Sequence, residues 1–245
     1  MSIAITLATA VRVLRQIRHD ARTVVLLLGV PVLLVALMKW IFDSQPQVFQ
    51  RVGVPLLGIF PMTSMFLVTS IAMLRERTSG TLERLMTMPL AKLDLLAGYS
   101  LAFGALALLQ ASLVSVVAFG LLDLEAEASP FAVMGVAILN AVLGSAMGLF
   151  VSAFARSEFQ AVQFMPLFLL PQMLLSGLLT ARENMARALE IISDYLPMTY
   201  AYDALHRLQV SGDWSRWLGV DLAVLCFTTV AAIVLGAATL RRRTE

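Results

Sequence analysis

Apolar residues in this chain gather into long blocks instead of alternating with polar ones. The blocks lie at 23–42, 52–74, 95–122, 131–154, 161–181 and 218–240. About 20 residues of α-helix span the roughly 30 Å of a bilayer's hydrocarbon core. The pattern therefore predicts an all-α integral membrane protein with six transmembrane helices, folded as one transmembrane domain over residues 1–245. The third block exceeds one crossing, so part of it is expected outside the hydrocarbon. Pro31, Pro55, Pro61, Pro166 and Pro171 fall inside blocks, where each removes a backbone donor and bends or loosens its helix. Gly98, Gly104, Gly135, Gly144 and Gly148 are small enough to let helices approach closely, and the last two form a GxxxG.

Ahead of the first block, residues 1–22 read as an amphipathic helix. Leu7, Ala10, Val13, Leu14 and Ile17 share one side; Arg12, Arg15, Arg18, His19 and Arg22 share the other. A basic face opposite an apolar one suits a helix lying in the cytoplasmic interface against anionic lipid; the competing reading is a solvated extension of the first span. The first block is full length and has no small-x-small site behind it, so it is expected to be a retained anchor and not a cleaved leader.

Composition agrees. Hydrophobic residues make up 59% of the chain and charged residues 14%, with a mean hydropathy of +0.84; a soluble domain carries about 25% charged residues. No soluble domain remains once the blocks are removed. The pI near 9.0 reflects basic residues at membrane edges, so no nucleic-acid partner is expected. With the amino end inside, twelve of the 18 Lys and Arg residues fall in inside segments and six outside, which places both termini in the cytoplasm. The loop carrying Asp123, Glu125 and Glu127 has no basic residue and belongs outside. Cys226 lies in an apolar block and reads as a small buried hydrophobe. His19 and His206 lack metal-ligand spacing.

Two segments outside the spans carry information. Residues 75–92 run Arg-Glu-Arg-Thr-Ser-Gly-Thr-Leu-Glu-Arg-Leu-Met-Thr-Met-Pro-Leu-Ala-Lys. After Gly80 they read as a short amphipathic helix: Leu82, Leu85, Met86 and Pro89 lie on one arc and Glu83, Arg84 and Thr87 on another. Glu83 suits the helix's positive end and Pro89 stops it. Residues 182–212 read as an outer hairpin of two short helices. The first spans about 184–194, Pro197 breaks the chain, Thr199 caps the second helix, and that helix ends before Gly212. The plainer readings are a surface helix and an ordinary outer loop.

The first segment resembles the cytoplasmic signature of ABC-2 type transporter permeases, with Glu76, Arg77, Gly80, Thr81, Glu83, Leu85 and Pro89 at matching places. Leu170-Pro171-Gln172 through Ser176-Gly177, then Leu196-Pro197-Met198-Thr199-Tyr200, resemble two later elements of that family in the right order. The resemblance covers nearly the whole chain and implies the permease subunit of an exporter in a bacterial inner membrane. It also implies a second permease copy and two copies of an ATP-binding partner that alone holds ATP and Mg. The segment containing Leu82 and Arg84 is then a coupling helix docking into a groove of that partner. Leu196, Pro197, Thr199 and Tyr200 would belong to a hairpin closing the exit side.

The spans themselves hold little chemistry. Gln110, Asn140, Gln163 and Gln172 are neutral, Asp221 lies near the outer end of the last span, and no carboxylate falls mid-membrane, as proton coupling usually needs. No GxxxxGK[ST] occurs. Met62, Met65, Phe66, Phe164, Phe168 and Gln172 are candidates to line an apolar path for a drug, antibiotic or lipid-like substrate, or else simply pack helices or face lipid. Two other functions compete: an ATP-independent carrier, and a membrane lipid-modifying enzyme, whose nearest constellation would be Asp203, His206 and Arg207.

Overall fold

The computed structural model describes residues 2–81, 84, 92–212 and 215–239. Among these, all regular structure is helical: α1 Ile3–His19, α2 Ala21–Ile41, α3 Pro46–Thr78, α4 Lys92–Leu121, α5 Pro130–Val151, α6 Glu158–Leu175, a 3₁₀ turn Arg182–Asn184, α7 Arg187–Ser193, α8 Pro197–Val210 and α9 Arg216–Thr239.

Five helices are long and apolar enough to cross a membrane: α2, α3, α4 from Ala97 onward, α5 and α9. The remaining predicted span is shorter than expected. α6 begins at Glu158 and ends at Leu175, and Ser176 and Gly177, whose φ is +104°, turn the chain. Two prolines and Gln160, Gln163 and Gln172 dilute its hydropathy. It nevertheless runs between the two ends of the bundle: Glu158 bonds Arg75 at the end of α3, and Gly177 lies against Tyr202 of α8.

The center belongs to α3 and α5. Their most apolar stretches are 61% buried, against 17% for peripheral α2. At 33 residues, α3 is about 50 Å long at 1.5 Å per residue, so it overshoots a roughly 30 Å core. Its contact with α5 rests on the GxxxG. A Cβ added at Gly144 would collide with the carbonyl of Met62, and one at Gly148 with that of Phe66. Gly58 admits Asn140, and Gly98 of α4 admits Thr9 of α1. Gly104 and Gly135, expected to serve the same purpose, have no neighbor within 4 Å.

Asp20 both ends α1 and starts α2. Its N–H reaches the Ile17 carbonyl, while its side chain accepts from the Thr23 N–H and hydroxyl at 3.2 and 2.6 Å. α1 buries Thr9, Ala10, Val13 and Ile17, largely against α4, and Arg12, expected on the basic face, turns inward.

The outer hairpin differs in detail from the sequence reading. Its first helix starts only at Arg187. Pro197 occupies the first turn of α8 instead of breaking it, with Leu196 at the cap. Thr199 does not cap: its buried hydroxyl donates to the Ser193 carbonyl at 2.8 Å and ties α7 to α8. α8 buries Ala201, Ala204, Leu205 and Leu208 and ends at Gly212, φ +65°. The Asp123–Ser129 loop is pinned there by Glu127 N–H to Gln209 and Ala128 N–H to Leu208. Cys226 is exposed on α9, contrary to its reading as a buried residue.

The α3–α5 contact yields a paired prediction. Gly148→Leu forces a side chain into a neighboring backbone, an overpacking cost of about 1–3 kcal/mol. That corresponds to a fall of roughly 2–12 °C in the melting temperature of detergent-purified protein. Gly135→Leu, which points at open space, should melt with wild type; equal melting of all three would refute the contact.

Candidate functional site

Charged side chains converge where α3 emerges from the bundle. Arg75 and Glu76 are consecutive, so they point about 100° apart around the helix and reach different neighbors. The Arg75 guanidinium forks onto Glu158 at the start of α6, Nε to Oε1 at 2.7 Å and Nη2 to Oε2 at 3.2 Å. It also lies 3.7 Å from Asp20 at the α1–α2 junction. Glu76 turns inward, 4% exposed, and accepts from Arg12 of α1 at 3.1 Å. Arg12 also donates to the Tyr99 hydroxyl of α4 at 2.6 Å, with its guanidinium carbon 5.7 Å from the center of the ring. Asp94 in the first turn of α4 accepts from the Ser2 N–H. The last turn of α3 is thus tied to α1, α2, α4 and α6.

These pairs differ in strength. Arg75 and Glu158 are both more than half exposed, a setting where an ion pair contributes about 0.2–1 kcal/mol. The hydrogen bonds from Arg75 hold the Glu158 carboxyl below its ordinary range, and those from Thr23 do the same for Asp20. Both carboxylates have lowered folded-state values. Their contribution is therefore present above the ordinary carboxylate range and lost only as pH falls below it. Glu76 is buried, so removing Arg12 leaves a carboxylate without water or counterion.

Beyond this junction the chain leaves α3 through Ser79 and Gly80. Gly80 has φ +70°, the left-handed region a Cβ disfavors. The Arg84 N–H returns to the Gly80 carbonyl at 3.1 Å, the bond of a first helical turn, and the Ser79 and Thr81 hydroxyls meet at 2.9 Å. Arg77 keeps its Nε buried with no partner among the described residues. Leu82, Glu83, Leu85 and Pro89, the rest of the expected coupling helix, lie outside the described residues.

The expected path residues divide between two settings. Met62, Met65 and Phe66 are fully buried; Met62 and Phe66 pack with Leu143, Leu169 and Met198, with Phe164 at the edge. Phe164 and Phe168 meet edge-on at 6.1 Å, and Phe168 is 39% exposed. Phe164, Phe168 and Gln172 form an i, i+4, i+8 stripe on α6, and buried Gln172 keeps its Oε1 unpartnered among the described residues. Of the other mid-bundle amides, Gln110 donates to the Leu27 carbonyl and Ser64 hydroxyl, while buried Asn140 has no side-chain partner. At the opposite end, Leu196, Pro197 and Thr199 form the α7–α8 corner, and Tyr200 donates to the Asp194 carbonyl at 2.7 Å.

Asp203, His206 and Arg207 do not converge. Asp203 pairs with Arg182 at 2.9 Å, Arg207 with Asp221 at 3.1 Å, and His206 stacks on Tyr202. Burial lifts the Asp203 carboxyl above its ordinary range despite Arg182 and lowers His206, favoring its neutral form. Among the described residues no group of His, Cys, Asp and Glu is arranged to hold a metal.

Sequence reasoning missed the Arg12–Glu76–Tyr99 cluster. A signal was present: a glutamate ending an apolar run needs a cation, and Arg12 borders the Thr9–Ala10–Val13 face that α1 buries.

The fold and these sites define a multi-pass helical membrane protein whose polar chemistry lies at the two ends of its bundle. The profile of the ABC-2 type transporter family matches residues 5–210, and the chain belongs to that family. It is 32% identical over 173 residues to the inner membrane transport permease YhhJ of Escherichia coli K12, covering 68% of this chain and 46% of that protein. It is 27% identical over 183 residues to the probable multidrug ABC transporter permease YbhS of the same organism, covering 73% and 48%. It is 24% identical over 158 residues to ABC transporter G family member 20 of Dictyostelium discoideum, covering 64% and 22%. The matched segment spans less than half the length of each of these relatives.

The buried pair gives a double-mutant test. Arg12→Met should cost about 3–5 kcal/mol by stranding Glu76. Arg12→Met with Glu76→Leu should recover most of that loss, measured by thermal unfolding in detergent. Additive losses in the double variant would show that the two side chains do not interact.

Proposed function

We propose that this chain is the permease subunit of an ATP-driven exporter, moving hydrophobic or amphipathic molecules outward with energy from a separate ATP-binding subunit. The observation that carries this reading is the last turn of α3. It is tied to four other helices and leads directly through Gly80 into the segment that resembles the family's coupling helix. A push on that segment by a partner would be felt at once by α1, α2, α4 and α6. The partner would be present in two copies, alone holding ATP and Mg, and a second permease, identical or homologous, would complete the pathway.

Six crossings fit this reading better than five. α6 links the Arg75 end to the α7–α8 end, and only with its crossing do the loops alternate between ends. Both termini then lie in the cytoplasm of a bacterial inner membrane, with the α7–α8 corner outside as the exit gate. The apolar path would open where α3 and α6 separate, exposing Met62, Phe66, Phe164 and Phe168 around Gln172. An apolar substrate is further supported by the name of the multidrug permease relative. The dispersal of Asp203, His206 and Arg207 weighs against a lipid-modifying enzyme.

Two outcomes are expected. Reporters fused after Glu127 and at the C-terminal end should be active outside and inside the cell, respectively; a C-terminal reporter active only outside overturns the orientation. Glu83→Ala, Leu85→Ala and Gly80→Val should lower transport and substrate-stimulated ATP hydrolysis at matched expression. Losing an interface anchor costs about 1–3 kcal/mol, roughly a tenfold or greater loss in partner affinity. Normal transport by all three would reduce the segment to a surface helix, and transport persisting with an ATPase-dead partner would point to a carrier.

A further inference from the structure

A cleft of about 560 Å³ lies between α1, α2, α3 and α4, next to the charged junction. It is elongated, following α3 from Ser64 to Arg75, eleven residues or about 16 Å of helix. Leu26, Val30, Leu67, Val68 and Ile71 make its wall apolar, while Asp20, Thr23 and Arg75 make one end polar. Leu26 and Val30 on the rim are 61% and 37% exposed, and they belong to α2, the least buried span. The cleft therefore opens sideways at the depth where α2 meets lipid.

The charge around its polar end is unbalanced. Arg12 and Glu76 neutralize each other. That leaves Arg15, Arg18, Arg22 and Arg75 against Asp20 and Glu158. Arg15, Arg18 and Arg22 are exposed, and no ion pair among the described residues engages them. Arg75 is held only through exposed carboxylates that an incoming anion can replace.

From this combination we infer that the cleft is a binding site for an anionic phospholipid of the surrounding bilayer, with an acyl chain along the Val30–Val68 wall and the phosphate at Arg75, Arg18 and Arg22. Basic pockets between transmembrane helices at a membrane edge take anionic headgroups for this reason. The volume falls within the usual range of ligand sites, about 300–1,000 Å³. A zwitterionic lipid fills the groove equally well but gains nothing from the surplus arginines, so the site selects by headgroup charge. Only the choice of the cytoplasmic leaflet rests on the orientation proposed above; the binding itself does not.

The test places the purified chain in nanodiscs of phosphatidylcholine. These are doped with phosphatidylglycerol or phosphatidylcholine carrying a photoreactive group in the acyl chain, and labeled peptides are mapped by mass spectrometry. Phosphatidylglycerol should label α2 and α3 along the cleft at least about fivefold more than phosphatidylcholine. Arg18→Gln with Arg22→Gln, both exposed and neutral for folding, should remove most of that preference. Ala72→Trp, which fills the cleft, should suppress labeling by either lipid. Equal labeling by the two lipids, or a preference unchanged in the arginine variant, overturns the proposal. So does displacement of the label by an uncharged hydrophobic drug at unchanged lipid composition, which would reassign the cleft to substrate. If Ala72→Trp does not fold, the arginine variant decides. No arm reads transport, so a failed export assay leaves this result standing.

Discussion

Hydrocarbon gives two apolar helices no hydrophobic reason to associate, because lipid tails are as apolar as leucine. A bundle in lipid must be held by close packing and by polar contacts, and here the close packing centers on α3 and α5. Gly144 and Gly148 bring the α5 backbone against the Met62 and Phe66 carbonyls, nearer than any larger residue permits. At this separation the flanking Met62, Phe66 and Leu143 are fully buried, and dispersion contacts that are individually weak accumulate. α4, α6, α8 and α9 then pack around this pair.

Polar contacts hold the ends. Each charged pair lies at a terminus of a long helix: Arg12 with Glu76 and Arg75 with Glu158 at one end, Arg182 with Asp203 and Arg207 with Asp221 at the other. This follows from solvation. Ionized groups at mid-membrane are costly, whereas at the rim they combine partial hydration with strengthened Coulomb attraction. The neutral amides left in the middle are the least satisfied groups: Asn140 lacks any side-chain partner among the described residues and Gln172 lacks one for its oxygen. Such groups weaken the packing of α5 and α6 locally, beside the aromatic stripe of α6.

Block length was legible in the sequence because it is a one-dimensional property: a run of apolar residues long enough to cross reads directly as a helix. α6 was placed correctly but drawn too long, since hydropathy continues through Leu178 and Leu179 while Gly177 turns the backbone. The GxxxG was visible as a pattern, yet only three dimensions separate Gly144, which meets a carbonyl, from Gly135, which meets nothing. The direction of Arg12 was missed for a related reason. Helical periodicity sorts residues by angle, but a long arginine at the border of two faces goes to whichever side offers a carboxylate, and Glu76 is 64 residues away. Thr199 was read as a cap from residue type alone. Pro197, preorganized for a first helical turn, moved the start of α8 two residues earlier.

The junction at the end of α3 combines two attachments of unequal strength. Arg12 and Glu76 form a partly buried pair with a tyrosine hydroxyl completing it, and separating them strands a carboxylate at the edge of hydrocarbon. Arg75 has both its carboxylate partners in exposed positions, where water can replace either one at little cost. A force on Ser79 and Gly80 is therefore met by a stiff link to α1 and α4 and a compliant one to α2 and α6. The compliant link gives first. α6 can then shift relative to α3 while α1 and α4 move with α3 as one body. The division falls along the α3–α6 boundary, where Phe66 and Met62 pack near Phe164, so the contact easiest to open is the one lined by the most polarizable side chains in the bundle.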